Sequence, residues 1–125
     1  MKQDIGKIGW IDITVEDAPR LRDFYAKVTG WKPEDVSMGD YADFNMTMPA
    51  DGTPAAGICH ARGGNADLPP QWLIYIVVAD CDASAEVCSA EGGIVLVGPK
   101  PMAGGRFAVI EDPTGAVAAI FQPPD

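Results

Sequence analysis

Between Trp10 and Val15 the side chains alternate in kind: Trp10, Asp12 and Thr14 share one parity, and Ile11, Ile13 and Val15 the other. Period two is the mark of a strand with two unlike faces. The run from Tyr41 to Met48 repeats the pattern, with Tyr41, Asp43, Asn45 and Thr47 set against Ala42, Phe44, Met46 and Met48. A third run opposes Leu73, Tyr75 and Val77 to Ile74, Ile76 and Val78. Carboxylates, an amide and a hydroxyl beside aromatic rings are what a small-molecule pocket needs, since rings supply area and polar groups fix orientation. Asp12 or Asp43 could also serve as a general base. The plainer reading of each carboxylate is an exposed residue in a chain with eighteen acidic side chains. For Trp10 and Tyr75 the plainer reading is packing against a second sheet.

His60 is the single histidine and follows Cys59 in the short strand Ala55 to Ala61. Adjacent strand residues face opposite ways, so a Cys-His nucleophilic pair is not expected. Cys81 and Cys88 read as small core fillers on a helix. Gly98 to Gly105 reads as a loop; as a flap it would carry Arg106 to an anionic ligand, and as an ordinary hairpin loop it would not. No helix follows Gly104-Gly105, so a phosphate cradle is not expected, and no cofactor is called for.

The elements that position these residues come in two copies. Asp17 stands at a helix N-cap, Pro19 falls in the first turn, Leu21, Phe24, Tyr25 and Val28 follow at helical spacing, and Gly30 ends the helix. An offset of 63 carries Ile11, Ile13, Val15, Asp17 and Gly30 onto Ile74, Ile76, Val78, Asp80 and Gly93. Five matching positions make an internal repeat. One domain over 1–125 is expected, with repeat one at about 5–61, a linker at about 62–71 and repeat two at about 72–123. Trp31 to Asp40 reads as a polar connector. Ile13, Val15, Phe24, Ile74, Ile76 and Val78 are the predicted core between helix and sheet. The class is α+β: two βαβββ repeats whose mixed sheets curl around a shared cleft, helices outside.

Nine basic and eighteen acidic residues give a net charge of −9, which repels phosphate backbones and anionic membranes and excludes a nucleic-acid role. No stretch approaches the roughly 18 apolar residues of a membrane span. The N-terminal residues lack the apolar core of an export signal, and three cysteines without one imply reduced thiols and a cytoplasmic address. The expected partner is a small molecule, and a homodimer is the expected assembly.

Val15-Glu16-Asp17, Phe24-Tyr25, Gly30-Trp31, Gly92-Gly93 and Asp112-Pro113-Thr114-Gly115 occur in this order. They resemble the landmarks of the vicinal oxygen chelate superfamily of glyoxalases, bleomycin-resistance proteins and extradiol dioxygenases. Ala56-Gly57-Ile58 and the stretch Gly105 to Val109 are similar to a glyoxalase-related branch. The resemblance implies metal ligands on the first and last strands of each half, usually histidines and carboxylates. Here those positions hold Trp10, Gly57, Leu73 and Ala119, none with a donor atom for a metal. No metal is therefore expected. Two readings follow: a binding protein using Trp10, Asp12, Thr14, Tyr41, Asp43, Asn45, Tyr75 and Arg106, or a lyase, isomerase or dioxygenase-like enzyme with a metal-free or atypical site in the same cleft.

Overall fold

Two strand-to-helix corners built from the same residue types set the architecture. The Asp17 carboxylate accepts the Arg20 N–H at 3.2 Å and opens α1 (Ala18–Thr29), with Pro19 in its first turn. The Asp80 carboxylate accepts the Ala83 N–H at 3.0 Å and opens α2 (Cys81–Ala90). Each bond satisfies an amide that has no intrahelical acceptor. α1 stops at Gly30, whose φ of +82° is left-handed and suits a residue without Cβ. α2 stops at Glu91, and the chain turns through Gly92 at φ +93°.

In the computed structural model, which describes residues 4–125, the order is β1 (Ile8–Val15), α1, β2 (Lys32–Ser37), β3 (Ala42–Thr47), β4 (Pro54–His60), β5 (Leu73–Val77), α2, β6 (Ile94–Met102), β7 (Gly105–Glu111) and β8 (Val117–Gln122). The βαβββ unit thus occurs twice, in the α+β class that the repeat implies. The chain forms two compact units, Ile11–Trp72 and Leu73–Asp125, the latter joined by the residues up to Trp10.

In Ile11–Trp72 the strands run β2-β3-β4-β1. β3 is antiparallel to β2 and β4, and β1 runs parallel to β4 with Asp12 opposite Gly57 and Thr14 opposite Cys59. Ile13, Ala18, Phe44, Met46 and Ile58 form the core, with Val15, Leu21 and Tyr25 packed on it. Met46 and Ile58 are wholly buried. Burying a side chain of that size stabilises the fold by about 1.5–3 kcal/mol.

In Leu73–Asp125 the order is β5-β8-β7-β6, with Tyr75 opposite Ala119. α2 seats Cys81 against Ala108 and Ile120, flanked by Val78, Val95 and Ile110. The chain start joins this unit through Gly6 N–H to Val77 O at 2.8 Å and Val77 N–H to Lys7 O at 2.9 Å.

Several expectations are corrected. Trp31 to Asp40 is not a connector throughout, because Lys32–Ser37 is a strand paired along its length with β3. Its side chains are exposed except the half-buried Val36, so backbone pairing at a sheet edge overrides a poor strand composition. Gly98 to Gly105 is mostly strand as well: β6 continues to Met102, and only Ala103-Gly104 turns, at φ +50° and +81°. Two left-handed residues match the hairpin's strand twist. Phe24 is not core, being 54% exposed. α1 docks through Ala18, Leu21, Tyr25 and Ala26, and Phe24 lies on the flank of that stripe. Tyr25 holds the place because its hydroxyl accepts Trp72 Nε1–H at 3.0 Å and its ring meets Trp31 and Trp72. Ile13 is buried as expected, whereas Val15, Ile74, Ile76 and Val78 are half-buried.

Candidate functional site

In Ile11–Trp72 the parity of Ile13, Phe44, Met46 and Ile58 is spent on the helix, so the other parity forms the opposite face. That face is polar. Asp12, Thr14, Asp43 and Thr47 are all buried on it, the two carboxylates at 9% exposure each. The register supplies a row across three strands, with Asn45 and Asp12 both opposite Gly57. Gly57 has no side chain to separate them with. Thr47 is satisfied locally, its hydroxyl donating to Lys32 O at 2.8 Å.

Asp43 gathers donors. Its Oδ1 accepts the His60 backbone N–H at 2.9 Å and lies 3.1 Å from His60 Nδ1. The Cys59 thiol also donates toward it. A buried carboxylate is tolerated when its lone pairs are occupied in this way. Burial first, then the charges of Asp12 and Asp43, push the Cys59 thiol well above the usual thiol range. Cys59 is therefore a hydrogen-bond donor and not a thiolate nucleophile.

The His60 ring stands edge-on to Tyr41 at 5.2 Å between centroids and 6.0 Å from Phe44. The Arg62 guanidinium lies 3.9 Å over the Tyr41 ring. A bond from Nδ1 to a carboxylate requires the proton on Nδ1, which leaves the Nε2 lone pair to the neutral ring. Strand alternation alone places Cys59 and His60 on opposite faces. Both nevertheless reach Asp43, because its carboxylate takes the His60 N–H at the end of β4 in place of a strand partner. The turn through Asp51-Gly52 sets β3 beside β4 and so brings Asp43 near the end of β4.

The structure therefore brings Asp12, Thr14, Tyr41, Asp43 and Asn45 into one unit. Trp10, half-buried, and Tyr75, buried, belong to the other. Arg106 also lies there and does not present its charge from a flap. Its Nε and one Nη bind the two Asp82 oxygens at 2.9 and 3.1 Å, and the same Nη donates to Pro99 O at 3.3 Å. It shares the parity of Ala108 and Ile110, which face α2. A groove of about 350 Å³ opens beside Thr14, with Glu16, Ala61, Leu68 and Pro70 among its walls. Another of about 280 Å³ lies under Phe24 and is lined by Val15, Leu21 and Arg20, on the helix side and away from the polar face.

A metal does not fit the positions at which the resemblance would hold one. Leu73 and Ala119 are buried at 1% and 0% exposure, Gly57 has no side chain, and Trp10 offers no lone pair. Among the described residues, no three His, Cys, Asp or Glu side chains gather as a metal centre requires.

A twice-repeated βαβββ unit carrying a buried polar face defines the class to which the chain answers. The family model of the Glyoxalase/Bleomycin resistance protein/Dioxygenase superfamily matches residues 7–120, and the chain belongs to that superfamily. The anthracycline biosynthesis protein DnrV of Streptomyces peucetius is 31% identical over 117 residues, covering 94% of this chain and 42% of that protein. The putative glyoxylase CFP32 of Mycobacterium tuberculosis is 29% identical over 119 residues, covering 94% and 46%. This chain spans less than half the length of either relative. Among solved structures, a methylmalonyl-CoA epimerase of Streptomyces coelicolor superposes with a TM-score of 0.55 at 20% identity, covering 97% of this chain and 99% of that one. That likeness concerns the fold. Among the described residues no helix is long and apolar enough to cross a membrane.

Proposed function

We propose that this chain is a small-molecule-binding member of the superfamily that works without the usual metal, and that its ligand is an aromatic compound bearing hydroxyl groups. The observation that carries the reading is the burial of Asp12 and Asp43, at 9% exposure each, on the face that the helix does not use. Burying carboxylates costs free energy that an apolar face would not incur, and the matching face of the other unit is apolar. A ligand offering hydroxyl donors would recover part of that cost through charge-assisted bonds. The DnrV name, which concerns anthracyclines, supports an aromatic ligand. The Asp43–His60 pair favours a second reading, a metal-free enzyme, which the glyoxylase name of CFP32 also suits.

The test is calorimetric titration and thermal shift with an anthracyclinone, an acyl-CoA and a glutathione hemithioacetal. The anthracyclinone should raise Tm, since a ligand bound to the folded state stabilises it by mass action. Asp43→Asn should weaken its binding by on the order of 1–3 kcal/mol. Stabilisation by the acyl-CoA or the hemithioacetal alone would contradict the ligand class. The proposal includes a cytoplasmic address and a homodimeric assembly, and light scattering that gives the mass of one chain would contradict the dimer. Protein purified without added metal should carry no stoichiometric transition metal. Elemental analysis finding about one equivalent per chain would overturn the metal-free assignment.

A further inference from the structure

The offset of 63 that relates the two units also matches the outer sides of their helices, and there the copies differ. Helical spacing gathers Arg20, Phe24, Lys27 and Val28 on one side of α1. All four are exposed, Phe24 at 54% and Val28 at 64%. The offset carries them onto Ala83, Val87, Ala90 and Glu91, again all exposed, with Val87 at 59%. Bulk and positive charge on α1 therefore correspond to small residues and negative charge on α2. A groove accompanies each stripe at equivalent positions. That on α1 holds about 280 Å³ between Val15, Asp17, Arg20, Leu21 and Phe24. Its counterpart on α2 holds about 320 Å³ between Ala79, Asp80, Ala83, Ser84 and Val87.

The charges divide in the same way. α1 carries three bases and one acid in a chain whose net charge is −9. α2 carries Asp82 and Glu86 and no base, and Glu91 stands at its C-terminal end. Neighbours occupy some of these groups: Arg106 holds Asp82, and Arg22 pairs with Asp23. Among the described residues Arg20, Lys27, Glu86 and Glu91 form no ion pair. A lone exposed apolar residue needs no explanation. Here Phe24 and Val28 lie between two available cations, and Val87 lies between two available anions. The cores do not use these groups, because α1 packs through Ala18, Leu21, Tyr25 and Ala26, and α2 buries Cys81 and Ala85.

We propose that two copies of this chain dock helix to helix, the α1 stripe of each lying on the α2 stripe of the other. The inference rests on the homodimer proposed above and names the surface that forms it. A twofold axis makes every contact occur twice, so one complementary pair of stripes closes a dimer. Small residues at positions 83 and 90 let a partner helix approach α2 closely, and Phe24 enters as the aromatic anchor beside the α2 groove. Arg20 and Lys27 then meet the carboxylates of Glu86 and Glu91 of the partner subunit. Setting α1 on α1, or α2 on α2, would bring like charges together, which disfavours the self-matched arrangements.

Light scattering of the full chain should give the mass of two chains. Arg20→Glu with Lys27→Glu makes both stripes acidic, and Glu86→Lys with Glu91→Lys makes both basic. Either double variant should raise the dissociation constant at least about tenfold and leave the mass of one chain. Both should stay folded by circular dichroism, since all four positions are exposed. Mixing the two variants sets each acidic stripe against a basic one and should restore the mass of two chains. Phe24→Ala should also weaken association about tenfold. A wild-type mass of one chain overturns both this interface and the homodimer. Variants that keep the two-chain mass overturn the interface and leave the homodimer standing. Variants that separate alone but fail to combine when mixed overturn it too, as do masses that grow without limit with concentration. A salt titration of the wild-type protein needs no variant to fold. Its dissociation constant should rise severalfold between about 0.05 and 0.5 M salt, and an unchanged value would overturn the proposal.

Discussion

On the face turned away from the helix, Ile11–Trp72 carries Asp12, Thr14, Asp43 and Thr47, whereas Leu73–Asp125 carries Leu73, Tyr75, Val77, Phe107, Val109 and Ala119, all buried. The two units otherwise match. Each opens its helix with an aspartate cap, seats the helix on alternate residues of its strands, and leaves the helix through a glycine at or just beyond its end. The contrast separates what specifies the fold from what does not. Caps and helix-facing positions define the corner, and both units retain them. The opposite face is free to diverge, and one unit has used that freedom to bury charge. Buried carboxylates destabilise unless they are paired, and their presence in one unit and absence from the other is the reason the binding site is proposed in the first.

The sharpest way to break this comparison is to exchange the character of the faces. Ala119 is wholly buried opposite Tyr75. Ala119→Asp should cost about 3–5 kcal/mol by urea denaturation, the range for a buried charge left uncompensated. A loss under about 1 kcal/mol would mean that the second face accepts a carboxylate as readily as the first. Asp43→Ala should have a smaller effect, about 1–3 kcal/mol, because it leaves the His60 N–H without its acceptor. No measurable loss would show that Asp43 is not the group that closes β4.

The next test concerns pH. The folded Cys59 thiol titrates above its ordinary value, so its contribution to stability is fully present below about pH 8.5 and is lost as pH rises beyond that. Stability of the wild-type protein should fall on the alkaline side, and Cys59→Ala should flatten the slope. An unchanged alkaline slope in the variant would contradict the burial assigned to that thiol. The smallest effect should come from Phe24→Ala, under about 1 kcal/mol, because the ring is 54% exposed. A loss of several kcal/mol would mean that α1 docks by the face the sequence suggested.

Phe24 also shows how far the sequence could be read. Helical spacing identified an apolar stripe, but it cannot tell whether Phe24 or Tyr25 turns inward. That choice depends on Trp72, which is distant in the chain and gives Tyr25 a hydrogen-bond donor. The repeat, both caps and the polar parity of Asp12, Thr14, Asp43 and Asn45 were legible because they depend on local spacing alone. β2 was not, since Lys32–Ser37 has the composition of a loop and is a strand only because β3 pairs with it. Arg106 was misplaced for a related reason. Its segment reads as a glycine-rich loop, yet the strand parity of β7 turns the side chain toward Asp82 on α2. The approach of His60 to Asp43 needs the end of the β3–β4 hairpin, which alternation alone does not describe.

The central claim is that ligand binds on the polar face of Ile11–Trp72, and a titration followed by backbone amide NMR tests it most directly. With an anthracyclinone added to saturation, the largest shifts should fall at Asp12, Thr14, Tyr41, Asp43 and Asn45. Shifts confined to residues 79–125, with those five amides unmoved, would contradict the account.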